Sequence, residues 1–174
     1  MKILLTVPHA HCSLHDEDDV ACDQGAIRMG NLLDASLKTR GHDTRLLVPH
    51  ANIIRKHGRD ANRANEGGSD WTQQVTRGLE WCDFFIDVHT CFPHCDEPYV
   101  LQLKGNDVLG DTTIEKLVGT NSNYILSAAS KQQKPGFLME YTNLPGKSDA
   151  ETRAVVNAMH VNESGWTMPL NTLL

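Results

Sequence analysis

The sequence has no stretch that approaches the ~18 consecutive apolar residues of a membrane-spanning helix. It also has no cluster of five or more basic residues, and its formal net charge is -6. These two absences argue against a membrane or a nucleic acid as the main partner. Low-complexity tracts, internal repeats and linker-like segments are missing as well. With 40% hydrophobic and 22% charged residues, residues 1–174 are expected to form a single globular domain.

No export signal is expected at the N-terminal end of this sequence. The apolar run that follows Lys2 stops after about five residues, which is too short for the core of a signal peptide, and no small-residue cleavage site follows. The cysteines are odd in number, and they are Cys12, Cys22, Cys82, Cys91 and Cys95. We therefore expect reduced thiols and a cytoplasmic protein.

The order of the apolar patterns predicts an α/β fold. Residues 2–7 are nearly all apolar and predict a central strand, residues 23–40 have the apolar spacing of a helix, and residues 44–48 predict a second strand. A strand, a helix and a strand in succession are typical of a parallel sheet. The expected fold is a single three-layer α/β domain with a central mixed, mostly parallel β-sheet flanked by helices.

The rest of the chain supplies further elements of both kinds. The other predicted helices cover residues 52–56, 70–81, 112–117 and 148–160. The other predicted strands cover residues 84–88, 99–103, 124–128 and 137–141. Ser148 and Glu151 have the spacing of a capping box, and the tail after Gly165 is expected to be irregular.

Polar residues follow the predicted central strands, at the edge where open α/β sheets place their sites. His9 and His89 each follow a buried strand, and Asp23 stands where the first helix is predicted to begin. Two imidazoles and one carboxylate are a usual ligand set of catalytic zinc, which keeps a further position open for water. Each of these residues by itself is equally compatible with a solvated loop. Other donors lie in the same acidic loop and leave the ligand set open, namely His11, His15, Asp16 and Glu17.

Glu140 follows the apolar run 137–139, where a buried carboxylate is costly unless it has a partner or a role. One interpretation places Glu140 on a solvated face of an edge strand. The other makes it a general base, with a pKa that burial raises toward the useful range. Asn62 and Arg63 form a further candidate, since a planar guanidinium suits a bidentate contact with a carboxylate. An exposed loop arginine is also common without such a role.

The segment Cys91-Phe92-Pro93-His94-Cys95 offers several soft donors. Its spacing is not that of a zinc knuckle, so buried thiols or a disulfide beside the site are a better interpretation than a second metal centre. A cysteine nucleophile is a further alternative, because Cys12 and Cys91 each lie near a histidine.

Five segments together resemble, in order, the sequence blocks of the N-formylglutamate amidohydrolase family, whose fold is similar to that of zinc carboxypeptidases and aspartoacylases. No single block is specific, but five in the right order make chance agreement unexpected. The segments are Val7-Pro8-His9-Ala10, Cys22-Asp23-Gln24-Gly25-Ala26, Asp60-Ala61-Asn62-Arg63, Ile86-Asp87-Val88-His89 and Phe137-Leu138-Met139-Glu140.

The resemblance implies a zinc ion (Zn2+) held by His9, Asp23 and His89. By the same resemblance Asn62 and Arg63 would bind a carboxylate of the substrate, and Glu140 would be the catalytic base. The implied activity is hydrolysis of the amide bond of a small N-acyl amino acid, similar to N-formylglutamate, or of a short peptide with a free carboxylate. The alternatives are a non-catalytic metal- or ligand-binding domain on the same scaffold and a carboxypeptidase-type peptidase that acts on cell-wall peptides.

Overall fold

The computed structural model describes residues 1–10, 23, 25–50, 61–63, 68–90, 99–102, 115–116, 123–141, 160–162 and 165–167. Of residues 99–102, 115–116, 140–141, 160–162 and 165–167 it describes the backbone alone. The helices in these ranges are α1 (Ala26–Thr39), α2 (Gly68–Trp81) and α3 (Tyr124–Lys131). The strands are β1 (Lys2–Thr6), β2 (Asp43–Leu47), β3 (Phe84–Thr90), β4 (Tyr99–Gln102), β5 (Glu115–Lys116), β6 (Gly136–Tyr141), β7 (His160–Asn162) and β8 (Gly165–Thr167).

Six of these strands form one sheet in the order β2-β1-β3-β6-β4-β5. β1 is parallel to β2 and to β3, β3 is parallel to β6, and β4 is parallel to β5. β4 pairs with β6 in the antiparallel direction. The predicted mixed, mostly parallel sheet is therefore confirmed. β7 and β8 form a separate antiparallel pair.

Successive residues of the central strands pack alternately against helices on the two faces of the sheet. Ile3 and Leu5 of β1 belong to the apolar cluster that contains Met29 of α1. Leu4, between them, belongs to the cluster that contains Trp71 of α2 and residues of α3. Since side chains alternate between the two faces of a strand, α1 covers one face and α2 and α3 cover the other. This arrangement confirms the expected helices on both sides of the sheet.

The strand predicted over residues 124–128 is wrong, because this segment begins α3. Asn123 caps the helix, and its side-chain oxygen accepts a hydrogen bond from the backbone N–H of Leu126 at 2.9 Å. Ile125, Leu126 and Ala129 are fully buried at the spacing of one helical face. A short apolar run suits a strand or a helix equally well, and the cap and the later alanines decide for the helix.

Two other predictions fail where the chain pairs with a segment that local sequence does not reveal. The helix predicted over residues 112–117 is wrong at Glu115 and Lys116, which form β5 beside β4. The tail predicted to be irregular contains β8, which pairs with β7. Strand formation at such positions depends on the partner strand more than on intrinsic preference.

Several predictions lie outside the described residues. The helix predicted over residues 148–160 lies outside the described residues except at His160, which begins β7. The short helix predicted over 52–56, the alternative ligands His11, His15, Asp16 and Glu17, and the cysteines at 12, 22, 91 and 95 also lie outside them. Within the described part of the chain, no helix is long and apolar enough to cross a membrane.

Candidate metal centre

The ends of β1 and β3 bring two histidines together. Thr6, the last residue of β1, pairs with Asp87 of β3, so the chain segments that follow these positions lie side by side. His9 stands in the turn after β1, and His89 lies within β3, which extends two residues beyond its predicted end. The two imidazole rings are 4.8 Å apart between centroids and meet edge to face at 83°.

Asp23 reaches the same place from the turn before α1. Its backbone N–H donates to the carbonyl oxygen of His9 at 3.1 Å, and its own carbonyl accepts from the N–H of Ala26 at 3.1 Å. Gly25 has a φ of 84° and precedes the helix, in a backbone region that glycine occupies without strain. The expectation that Asp23 opens the helix is therefore wrong, because this left-handed turn delays the helix to Ala26.

The carboxylate of Asp23 lies between the two histidines. Its Oδ2 is 3.2 Å from Nδ1 of His9 and 2.7 Å from Nδ1 of His89. The backbone N–H of Thr90 donates to the same oxygen at 3.4 Å. The three residues offer ligand atoms that all lie within 4.8 Å of one another. Tetrahedral zinc with bonds of about 2.0–2.1 Å holds its ligand atoms about 3.3 Å apart, so these donors could hold such an ion once side-chain rotation brings all three to that spacing.

The electrostatics of the group also suit a cation. Burial alone would raise the pKa of Asp23, but the hydrogen bonds and charges of His89 and His9 lower it to about 2. Burial alone would lower the pKa of His89, but Asp87 and Asp23 raise it well above its usual value. Without an ion, Asp23 is thus anionic, and the ring of His89 is protonated and lies between the carboxylates of Asp23 and Asp87. A metal ion would replace that proton.

Asp87 lies behind His89 and is fully buried. Its Oδ2 is 3.1 Å from Nε2 of His89, and its Oδ1 accepts a hydrogen bond from Oγ1 of Thr6 at 2.7 Å. Nδ2 of Asn123, the residue that caps α3, is 3.5 Å from Oδ2 of Asp87. The sequence interpretation named Asp87 only as part of a motif and missed both Thr6 and Asn123. The available signal was the spacing of Asp87 and His89, because residues two apart share one face of a strand.

The two predicted substrate-binding residues differ in position. Asn62 is buried, and its side-chain nitrogen lies 3.2 Å from Nε2 of His89. The backbone carbonyl oxygen of Asn62 accepts a hydrogen bond from the backbone N–H of Tyr124, the first residue of α3, at 2.6 Å. Arg63 is exposed. Asn62 therefore belongs to the surroundings of His89, while Arg63 faces the solvent beside it.

Glu140 is placed by its backbone alone. In β6 it pairs with His89 of β3 on one side and with Tyr99 of β4 on the other. The predicted base and one predicted metal ligand are thus neighbours in register across two parallel strands. The side chain of Glu140 lies outside the described part of the structure.

Fold and site together define an α/β domain with a partly buried His-Asp-His group that could hold a metal ion. Comparison with family models gives no match, and no curated protein matches the chain. Among solved structures the chain is similar to the catalytic domain of the CD27L endolysin targeting Clostridia difficile, with 16% identity, 80% of each chain covered and a TM-score of 0.49. A likeness of this degree assigns neither a family nor an activity.

Proposed function

We propose that this chain is a zinc-dependent amide hydrolase. Its proposed substrates are small N-acyl amino acids, similar to N-formylglutamate, or short peptides with a free carboxylate. The observation that carries the proposal is the meeting of three donor side chains, His9, Asp23 and His89, at the carboxyl-terminal edge of the parallel strands. The resemblance of five segments to the N-formylglutamate amidohydrolase family supports the substrate class.

Two imidazoles and one carboxylate are a donor set that catalytic zinc sites use. Structural zinc sites have four protein ligands, whereas catalytic sites have three and keep a position for water or substrate. The described residues supply three donors here. Zinc in such a site is a Lewis acid that polarises a carbonyl oxygen and lowers the pKa of water. Asp23 keeps its negative charge, because its pKa is about 2, and would offset part of the charge of the ion.

Glu140 is proposed as the general base. It would accept a proton from the attacking water and then pass it to the leaving nitrogen, so that the amide is cleaved into a carboxylic acid and an amine. The support for this role is its register beside His89. Arg63, exposed and adjacent to Asn62, is proposed to bind the free carboxylate of the substrate, which would orient the amide for attack.

The test begins with the metal. The purified protein is analysed for bound metals and assayed on N-formyl, N-acetyl and N-succinyl amino acids and on dipeptides, each with and without a free carboxylate. We expect about one equivalent of zinc, loss of zinc in His89→Ala, and turnover that a chelator abolishes and zinc restores. Glu140→Gln should keep the zinc and lose about 10²-fold or more in rate. Glu80→Gln, at an exposed position of α2, is the matched control and should keep both.

Each part of the proposal has its own contrary result. A protein that takes up no zinc lacks the proposed site. Zinc binding with no turnover of any substrate would indicate a binding domain instead of an enzyme. Equal rates on substrates without a carboxylate would remove the role of Arg63, and a preference for cell-wall dipeptides would identify a peptidase. Wild-type turnover by Glu140→Gln would show that another group is the base.

A further inference from the structure

A continuous buried chain of hydrogen bonds leads from the donor His89 through Asp87 to Thr6. Oγ1 of Thr6 donates to Oδ1 of Asp87 at 2.7 Å, and Oδ2 of Asp87 lies 3.1 Å from Nε2 of His89. Thr6 and Asp87 are fully buried, and the side chain of His89 is 4% exposed. Neither Thr6 nor Asp87 has a place in the proposed reaction, although a buried carboxylate is costly unless it is paired.

The two nitrogens of His89 face different partners. Nδ1 points to Oδ2 of Asp23, where the other donors converge, and Nε2 points to Asp87. A neutral imidazole carries one proton, and only the nitrogen without it can bind a metal. If the proton is on Nε2, Nδ1 is available to an ion. The amide of Asn62, 3.2 Å from Nε2, can then turn its oxygen toward the same proton.

We propose that Asp87 is a positioning residue that holds His89 with its Nε2 proton toward Asp87 and its Nδ1 toward the metal, and that Thr6 sets the orientation of Asp87. The inference rests on the metal site of the proposed function, but it assigns roles to two residues that do not touch the ion. Carboxylates behind ligating histidines commonly fix the ring and the tautomer in this way.

Thr6 suits its role because of the strand register. Thr6 and Asp87 are paired neighbours on β1 and β3, so the sheet itself holds the hydroxyl beside the carboxylate. One carboxylate oxygen is bonded to Thr6 and the other faces His89. Nδ2 of Asn123 approaches the latter oxygen at 3.5 Å. Rotation of the Asp87 side chain would therefore break its hydrogen bond to Thr6, and the ring of His89 would lose its fixed partner.

The experiment compares zinc affinity in three variants of the full chain. Asp87→Asn keeps the shape and removes the charge, and we expect zinc affinity to fall by about 10–100-fold. Thr6→Val keeps the shape and removes the hydroxyl, with a smaller fall expected. Thr44→Val is the matched control, because Thr44 is also a buried strand threonine whose hydroxyl bonds an aspartate, Asp34 of α1. Its zinc affinity should equal that of the wild type.

Two further readouts separate positioning from a general loss of stability. Cobalt(II) in place of zinc should give a changed visible spectrum in Asp87→Asn and an unchanged one in Thr44→Val. Long-range proton–nitrogen NMR of the zinc-loaded protein should show the Nε2–H tautomer of His89 in the wild type and a mixture in Asp87→Asn. Thr6→Val provides the test if Asp87→Asn does not fold.

The outcomes distinguish this inference from the proposed function. Wild-type affinity and spectra in both Asp87→Asn and Thr6→Val would overturn the positioning role while the hydrolase proposal stands. An equal loss of affinity in Thr44→Val would also overturn it, since the effect would then be one of stability. Reduced affinity in the two variants, together with a wild type that hydrolyses nothing, would support the inference and reject the hydrolase. A wild type that binds no zinc would reject both.

Discussion

Asp23 and His89 share a hydrogen bond of 2.7 Å between a carboxylate oxygen and a ring nitrogen. The contact shifts the two pKa values in opposite directions, because each charged form stabilises the other. The pKa of Asp23 falls to about 2, while that of His89 rises well above its usual value against the effect of burial, because of the charge of Asp87 first and of the contact with Asp23 next. At the residue scale, the metal-free site is therefore a pre-formed ion pair, in which a proton occupies the side of His89 that faces the donors.

The first prediction is that zinc affinity rises with pH. Asp23 is already ionised above about pH 4, so it adds no pH dependence near neutrality. His89, with its raised pKa, must lose a proton when a metal binds, and this competition weakens as the pH rises toward that pKa. Between about pH 6 and about pH 8 we expect affinity to increase by up to tenfold per pH unit for this proton.

Calorimetry in buffers of different ionisation enthalpy measures this release directly. Binding should release about one proton from His89 at the lower pH and progressively less as the pH approaches the raised pKa of His89. An affinity that does not change with pH, with no proton released, would contradict the charge state assigned to His89.

A second prediction concerns Cys82, whose side chain is 1% exposed. Burial raises the pKa of its thiol to about 11, so roughly one molecule in a thousand carries the reactive thiolate at pH 8. The peptide that contains Cys82 should remain unlabelled by iodoacetamide in the native protein and be labelled completely in denaturant. Mass spectrometry of the digested protein reads out both states. Equal labelling rates in the two conditions would show that this cysteine is accessible.

The sequence reveals the donors of the site better than their supports. His9 and His89 could be predicted as neighbours, because each follows a buried strand and parallel strands end at one edge. Thr6 could not, since its contact with Asp87 joins residues 81 positions apart and depends on the register of β1 and β3. Asn123 could not be predicted either, because its role requires a helix to begin at residue 124, where the apolar pattern of the sequence predicts a strand.

Among the elements, α3 depends most clearly on one side chain. Oδ1 of Asn123 accepts from the N–H of Leu126, and Nδ2 of the same residue approaches Asp87. We predict that Asn123→Ala lowers the free energy of unfolding by about 1 kcal/mol, the usual value of an N-cap. Urea denaturation measures the change. Asn31→Ala, at an exposed position within α1, should be neutral or slightly stabilising. A loss in Asn31→Ala as large as that in Asn123→Ala would contradict the capping role.

The elements also show where sequence patterns stop being informative. Strands β1, β3 and β6 and helices α1 and α2 have continuous or clearly periodic apolar patterns, and all five could be predicted in kind, although α1 begins at Ala26 instead of Asp23 and β3 continues to Thr90. α3 has only eight residues, β5 has two and β8 has three. The apolar run in α3 suits a strand or a helix equally well, and β5 and β8 have too few residues to form a pattern, so the cap of α3 and the partner strands of β5 and β8 determine their structure.

At the scale of the whole molecule, the three donors come from distant parts of the chain. His9 follows β1, Asp23 precedes α1, and His89 lies in β3 beside β1. An ion bound by all three would connect the first strand, the first helix and the central strand of the sheet. Because these donors are brought together only by folding, an ion that needs all three binds the native state in preference to the unfolded chain.

The last prediction is that zinc raises the melting temperature of the protein and that a chelator reverses the rise. With free zinc at 100 times the dissociation constant, the free energy of unfolding increases by about 2.7 kcal/mol. For a domain of this size each kcal/mol shifts the midpoint by about 2–4 °C, so a shift of about 5–10 °C is expected by calorimetry.

Magnesium should have little effect, since it prefers oxygen ligands, whereas two of the three donors are imidazole nitrogens. His9→Ala, compared with its own metal-free form, should lose most of the zinc shift. A shift of the same size in that variant would mean that zinc stabilises the fold from some other place.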